Sequence, residues 1–371
     1  MSFPQANPWL LGSLVREHTL RGNKLFIHTP DDSDIEKTIE RAFRVVTSEI
    51  PVMPSSSAPL SHVPYNDLVA MTHRVGAVVD KGSDLVRNRA MPVSRLTVIT
   101  QGAGGPAYFV AFSINHCAAD GFTYYRILSM LSADTEVEAL DPTRDKHAGG
   151  LRNKVCGKRE MDFMTSFPQL VNWVMRVGCN AREKPFIFEV DKVRVENAKF
   201  AETESPECKV PFVSTNDVLV SSYGEAVGAR VVYMAMNLRN RLGDGFRGNS
   251  KAGNYEGSLL LGQNTFSEPS LIRKKLLRGP PYARPDDSHE LPCACEAFVC
   301  TAAQVTSWAF PQFPGSISVP NSRSAIHLPI PMFEICPFEL AIIFKPSKEK
   351  LAMLLVSRLD PKVFSAMPLV P

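Results

Sequence analysis

The 371-residue chain has no apolar run approaching the ~20 residues needed to cross a bilayer. It also lacks a large excess of either charge. Its 41 Lys and Arg against 38 Asp and Glu leave a formal charge of +3. So small an excess argues against a dedicated nucleic-acid binder, which needs a concentrated basic face to displace phosphate counterions. Cysteine is sparse: eight scattered residues do not make the disulfide framework of a small secreted domain. There is no internal repeat and no low-complexity tract. The segment from Met1 to Pro8 lacks the basic stretch and apolar core of a signal peptide, so a cytoplasmic location is expected. What is present is ordinary globular composition, 44% hydrophobic and 21% charged, which excludes collagenous, coiled-coil and largely disordered chains. At this length one core has usually stopped growing, so two lobes are expected.

One cluster could suggest a metal: His289, Cys293, Cys295 and Cys300. Zinc sites favour two ligand pairs at short repeated spacings. Here a single Cys-Ala-Cys has no second pair at a familiar distance, so the stretch reads as reduced thiols and no metal is expected. Cys117, Cys156, Cys179 and Cys336 sit in apolar contexts and read as small hydrophobes.

Hydrophobic spacing predicts a helix over Asp34 to Val46, capped by Asp32 or Ser33, with Ile35, Ile39, Ala42, Phe43 and Val46 along one side. Ser94 to Thr100 and Tyr108 to Ile114 read as a strand pair joined by a Gly-rich turn at 102–106. A helix follows over Phe122 to Leu131, and another over Pro168 to Val177. The stretch 181–210 mixes charge with weak strand character and reads as a crossover. Ser214 to Asp217 opens a helix that ends near Gly224, and Val231 to Met236 reads as a strand. A further helix starts at Glu268-Pro269 and stops at Gly279. Phe338 to Phe344 and Leu351 to Ser357 close the chain as a strand pair. Strands and helices in this mixed order predict an α/β or α+β protein.

The chemistry concentrates between the strand ending at Ile114 and the helix starting near Phe122. There the sequence reads His116-x-x-x-Asp120-Gly121. A histidine at the exit of a buried strand lies at the core's edge, yet reaches a cleft. Imidazole titrates near neutrality and can take a proton from an alcohol or amine that attacks an acyl carbon. Asp120 can pair with an arginine elsewhere or cap the following helix. Gly121 removes the Cβ obstacle at a sharp turn. The same residues also suit a purely structural strand-end histidine followed by an ordinary helix cap.

The segment Phe112 to Leu131 resembles the HxxxDG region shared by chloramphenicol acetyltransferase, the condensation domains of peptide synthetases and the BAHD acyltransferases. Val213 to Leu219 resembles the "STND-L" helix start of the BAHD and fungal branch. Met236 to Leu242 resembles its "NLR-R" strand end, and Gly253-Asn254-Tyr255 its "GN" turn. These matches keep the family's order over the last two-thirds of the chain.

The resemblance implies two chloramphenicol-acetyltransferase-like lobes, each a mixed sheet with flanking helices, and a channel between them. The lobes would cover 1–180 and 211–371, with 181–210 as the crossover. The implied activity is transfer of an acyl group from acyl-CoA to a hydroxyl or amine acceptor, with no cofactor beyond that co-substrate. Its partners would be acyl-CoA and a small-molecule acceptor. His116 and Asp120 are the catalytic candidates. His116 is the expected base, and Asp120 is expected to bridge to Arg239; Gly121 and Arg239 would support the site. Asn254, Ser307 and Trp308 are candidates for substrate contact. The basic run Leu271 to Arg278 is either a contact for CoA phosphates or a solvated helix face.

The family's DFGWG motif is absent, with Thr306 to Phe310 in its place. Asn115 stands where condensation domains carry a first histidine. Two alternatives therefore accompany the acyltransferase reading: a condensation-like enzyme using carrier-bound donors, and a non-catalytic ligand binder of the same fold.

Overall fold

The computed structural model describes residues 3–19, 22–54, 58–88, 90–102, 107–144, 148–179, 184–241, 250–277, 290–313, 317–318, 326–330 and 336–370. Among the described residues, twelve strands fall in three sheets. β1 (Ser13–Thr19) and β2 (Gly22–His28) form an antiparallel pair. β3 (Phe43–Thr47), β4 (Ser94–Thr100) and β5 (Tyr108–Ile114) form a three-stranded sheet, with β3 parallel to β4 and β4 antiparallel to β5. The larger sheet takes β6 (Lys184–Val190), β7 (Val231–Asn237), β8 (Glu256–Gly262), β9 (Ala302–Ser307), β10 (Glu339–Phe344), β11 (Ala352–Ser357) and β12 (Leu369–Val370). Its order is β12-β6-β11-β10-β9-β7-β8, with β9 parallel to both β7 and β10.

The apolar run of β10 explains why the larger sheet is covered on both sides. Every residue of β10 is buried, and successive side chains alternate between two cores. Ala341 and Ile343 join Met353 and Leu355 of β11 in one core. They pack there with Leu219, Val220 and Tyr223 of the Thr215–Ala226 helix and Ile272 of the Pro269–Leu276 helix. Leu340, Ile342 and Phe344 face the other way. They meet Leu68 and Met71 of the Tyr65–Arg74 helix and Ile99 of β4, so this second core ties the two larger sheets together.

The expected strand pairs at 94–114 and 338–357 are present as β4–β5 and β10–β11, in antiparallel register. Two local readings change. The first helix covers only Ile35–Ala42, after which Phe43, Val45 and Val46 enter β3 beside β4. Aromatic and β-branched residues suit a pleated surface, and pairing with Leu96, Val98 and Ile99 overrides the helical spacing. Within the expected crossover 181–210, β6 pairs with β11 and β12, and the Lys192–Thr203 helix follows. In that helix Val195 is buried while Val193 and Phe200 are exposed, so its apolar residues mark no clean face.

His327 ties the helix after β5 to the end of β10. Its Nδ1 lies 3.1 Å from the Lys345 carbonyl, and its Nε2 lies 3.3 Å from the Tyr125 hydroxyl. A carbonyl only accepts, so Nδ1 carries the proton and the Tyr125 O–H donates to Nε2. Burial pushes the imidazole down to about 4, the Lys345 carbonyl opposing weakly. The unfolded chain therefore binds this proton more readily. Its contribution to stability is complete above pH ~6.5 and is lost as pH falls towards about 4. Urea denaturation between pH 7 and 4 should show unfolding free energy falling by roughly 1–3 kcal/mol from this group. His327→Phe should flatten that slope; an unchanged slope would contradict the assignment.

Candidate active site

β5 delivers the chain into a loop whose backbone is held residue by residue. Asn115 donates its backbone N–H to the Val93 carbonyl (2.8 Å) and its side-chain Nδ2 to the Asp80 carbonyl (2.9 Å). Its Oδ1 accepts from the Cys117 N–H at 3.0 Å. Asn254 donates to the His116 carbonyl, and Arg144 to the Cys117 carbonyl. The His116 backbone is thus pinned from both sides, while its ring stands 67% exposed.

Asp120 closes the loop as the N-cap of the Gly121–Ser129 helix, its Oδ1 accepting from Thr123 N–H at 2.9 Å. Asp120 is 3% exposed and faces Arg239, itself 1% exposed, in a two-pronged ion pair of 2.8 and 3.1 Å. The Tyr255 N–H donates to Asp120 Oδ2 at 2.8 Å. Arg239 also donates to the Lys251 and Gly253 carbonyls, Thr123 Oγ1 and Asn237 Oδ1. The Phe122 and Tyr255 rings flank the guanidinium, 4.7 and 5.1 Å from its carbon. So complete a set of partners is what a buried ion pair requires. Both Asp120 oxygens are engaged inside the protein, so this carboxylate anchors the loop.

The partner strand leads into β8. Gly253 adopts a φ of +121°, a region that disfavours side chains, and its carbonyl accepts from the Asp120 N–H at 3.2 Å. Gly253, Asn254 and Tyr255 therefore dock consecutively onto the His116 loop. Glu256 comes next, and its Oε1 lies 3.5 Å from His116 Nε2. Burial pushes the Glu256 carboxyl above its ordinary value and Asp120 adds to this, whereas His116, Arg239 and Arg152 oppose it. A second clamp lies alongside: Lys251 donates to Asp141 at 2.5 Å, and this hydrogen bond holds the Asp141 carboxyl down to about 2.

Gly121 meets Trp308: a Cβ there would lie 3.2 Å from the indole Cδ1. Trp308 also packs on Tyr125, with ring centroids 6.1 Å apart, so it backs the helix that Asp120 caps. Ser307 ends β9 opposite Ile343, and among the described residues no hydrogen bond joins it to the His116 loop.

The structure thus gathers His116, Asp120, Gly121, Arg239, Asn254 and Trp308 around one junction. Sequence reading missed Thr123 and Glu256 as members. Thr123 looked like one more helix residue, and Glu256 follows the GN turn with no spacing of its own to mark it. Asn254 reaches the loop through Nδ2, while its Oδ1 is buried without a partner among the described residues.

Over its described part the basic run turns two of its cations inward rather than into solvent. Arg273 donates to Asp217 (2.8 Å) and Ser214 (2.6 Å), while Lys275 is 5% exposed and donates to the Leu260 carbonyl. Arg278 and His289 lie outside the described residues. Cys293 and Cys295 are exposed, whereas Cys300 is buried with its thiol pushed up by that burial. No group of three metal-binding side chains occurs among the described residues. Among those residues no helix is long and apolar enough to cross a membrane. Two surface cavities, of about 630 and 850 Å³, lie elsewhere, one beside Phe200 and Phe212 and the other beside Val52 and Arg74.

No family model and no curated protein matches the chain. Solved structures do match. TRI101 of F. graminearum, complexed with coenzyme A and T-2 mycotoxin, aligns with a TM-score of 0.52 and 15% identity, over 98% of this chain and 86% of that chain. TRI101 of F. sporotrichioides, complexed with coenzyme A and T-2, gives 0.52 and 16% identity over 95% and 84%. The chain shares the mixed α/β fold of these structures.

Arg239→Ala should leave the Asp120 carboxylate buried and unpaired, lowering unfolding free energy by about 3–5 kcal/mol. In urea titrations the Asp120→Ala, Arg239→Ala double variant should lose much less than the two single losses combined. Strict additivity would show that the two side chains do not act as a unit. Arg273→Met should similarly cost roughly 3 kcal/mol, because Asp217 is fully buried; a denaturation midpoint equal to the parent's would contradict its internal role.

Proposed function

We propose that the protein transfers an acyl group from an acyl-CoA thioester to a hydroxyl or amine of a small-molecule acceptor. The observation that carries this is an exposed imidazole on a backbone clamped by a buried ion pair, at a seam between two sheets. Catalysis by proton transfer needs that combination: a ring open to the reactants, and a frame stiff enough to hold it within hydrogen-bond reach. Likeness of fold to structures complexed with coenzyme A and a mycotoxin supports a thioester donor and a compact organic acceptor.

With the lobes divided at 1–180 and 211–371, the first contributes His116 and the second the Arg239 anchor and the 251–256 strap. His116 takes the proton from the acceptor as its oxygen or nitrogen attacks the thioester carbon. The new C–O or C–N bond forms through an oxyanion. The C–S bond then breaks, and the imidazolium returns its proton to the departing thiolate, releasing CoA as the free thiol. The atoms balance without a metal ion, a redox partner or an acyl-enzyme. The channel joining the donor and acceptor sides belongs to this proposal. So do a cytoplasmic location and substrate contact by Asn254; Trp308 contributes as the floor behind Gly121.

The direct test is a free-thiol assay of CoA release across a panel of acyl-CoAs and acceptors. His116→Ala should reduce release by at least a hundredfold, on the order of the contribution of a general base. It should leave the melting temperature near that of the parent, because the ring is exposed and makes no core contact. Turnover within a few-fold of the parent would remove His116 from the role of base.

A further inference from the structure

Among the described residues, Glu256 is the charged side chain paired with the His116 ring, and the motif resemblance supplies no role for it. It opens β8, and its backbone register is set by Asn237 across the β7–β8 ladder. Asn237 in turn accepts from the Arg239 backbone N–H at 3.0 Å, so the anchor that holds the His116 loop also places Glu256. Asn254 and Tyr255, immediately before it, grip the His116 carbonyl and the Asp120 carboxylate. The charged groups facing Glu256 come from every element around it: His116 and Asp120 from the loop, Arg239 from the end of β7, and Arg152 from the Ala148–Cys156 helix. The carboxylate is 40% exposed and its oxygen lies 3.5 Å from Nε2, an ionic contact longer than a good hydrogen bond.

We propose that Glu256 is the positioning residue of His116: its carboxylate turns the Nε2 edge of the ring towards β8 and supports the positive charge that the ring acquires. The proposal rests on the acyl-transfer reading for its catalytic meaning, but the pairing itself does not. With the ring's own proton on Nε2, directed at Glu256, the lone pair on Nδ1 is left to accept the proton of the attacking hydroxyl or amine. When that proton arrives, the carboxylate 3.5 Å away stabilises the imidazolium until the thiolate takes the proton back. Opposite charges at this distance each favour the charged form of the other. Exposed pairs of this kind contribute little to folding, so the consequence falls on the chemistry of the ring rather than on stability.

Glu256→Gln keeps the shape and removes the charge. The His116 ring resonance, assigned by its absence in His116→Ala, is followed by NMR from pH 5 to 9 in both proteins. Removing a facing anion disfavours the imidazolium, so the ring of the Gln variant should protonate at lower pH, by about half a unit or more. With a competent substrate pair, kcat should fall roughly tenfold while KM for donor and acceptor stays within about twofold. The acid limb of the pH–rate profile should move in the same direction as the resonance. A ring titration identical in parent and variant overturns the pairing, whatever the activity. A shifted titration with unchanged kcat overturns the catalytic role. A shifted titration in a protein with no His116-dependent turnover leaves the pairing intact and sinks the acyl-transfer reading instead. Should the Gln variant not fold, Glu256→Asp, which withdraws the carboxylate by one methylene, should give an intermediate shift; no shift there overturns the proposal.

Discussion

The buried pairing of Asp120 with Arg239 is the constraint on which the rest of the site depends. Neither charge reaches water, so each must find all of its partners inside the protein, and those partners define the junction. Asp120 caps the helix after β5 and accepts from the start of β8. Arg239, at the end of β7, gathers carbonyls from Lys251 and Gly253. One ion pair therefore joins the three-stranded sheet to the edge of the seven-stranded sheet. The loop between β5 and the helix has no freedom to drift, although it lies at the surface. Such a pair adds little net stability compared with apolar packing, and its value here is that it admits one geometry.

Against that rigid frame the His116 ring is open to solvent. Its neighbours hold its backbone carbonyl and the following one, and nothing covers the imidazole face to the same extent. The division of labour is physical. On the proposed reading the base must be accessible, yet the entropy of a mobile loop would cost rate, since reacting atoms must lie within a fraction of an ångström of their working positions. Here the stiffness is supplied one residue away in sequence and one strand away in space. Trp308 behind Gly121, and His327 with Tyr125, extend the same support along the helix, so the junction is backed by the core that joins both sheets.

Legibility in the sequence followed the range of the forces involved. The β4–β5 and β10–β11 pairs read correctly because alternation, turn residues and strand length are all local. The helix opened by Ser214 to Asp217 read correctly for the same reason. The helix over 34–46 did not, because Phe43 to Thr47 obey either period and pairing with β4 decides between them. β6 showed only weak strand character because its partners, β11 and β12, lie more than 150 residues later in the chain. The basic run misled in another way: charge reads as solvated, yet Arg273 and Lys275 are drawn inward by a buried carboxylate and a strand carbonyl.

By itself the sequence determined where the chemistry is concentrated. A histidine, an acid and a glycine fall between a buried strand and an amphipathic helix, and short-range spacing and capping preferences settle that junction. The distant Arg239 and the Gly253–Tyr255 turn could be named only through a resemblance. Only the tertiary structure decided which charges meet. Asp120 turns inward to Arg239 while His116, four residues earlier, stays open, and Glu256 comes to face the ring. Those outcomes depend on the three-dimensional register of β8 against a loop some 140 residues earlier, and desolvation is paid for only where every partner is already in place.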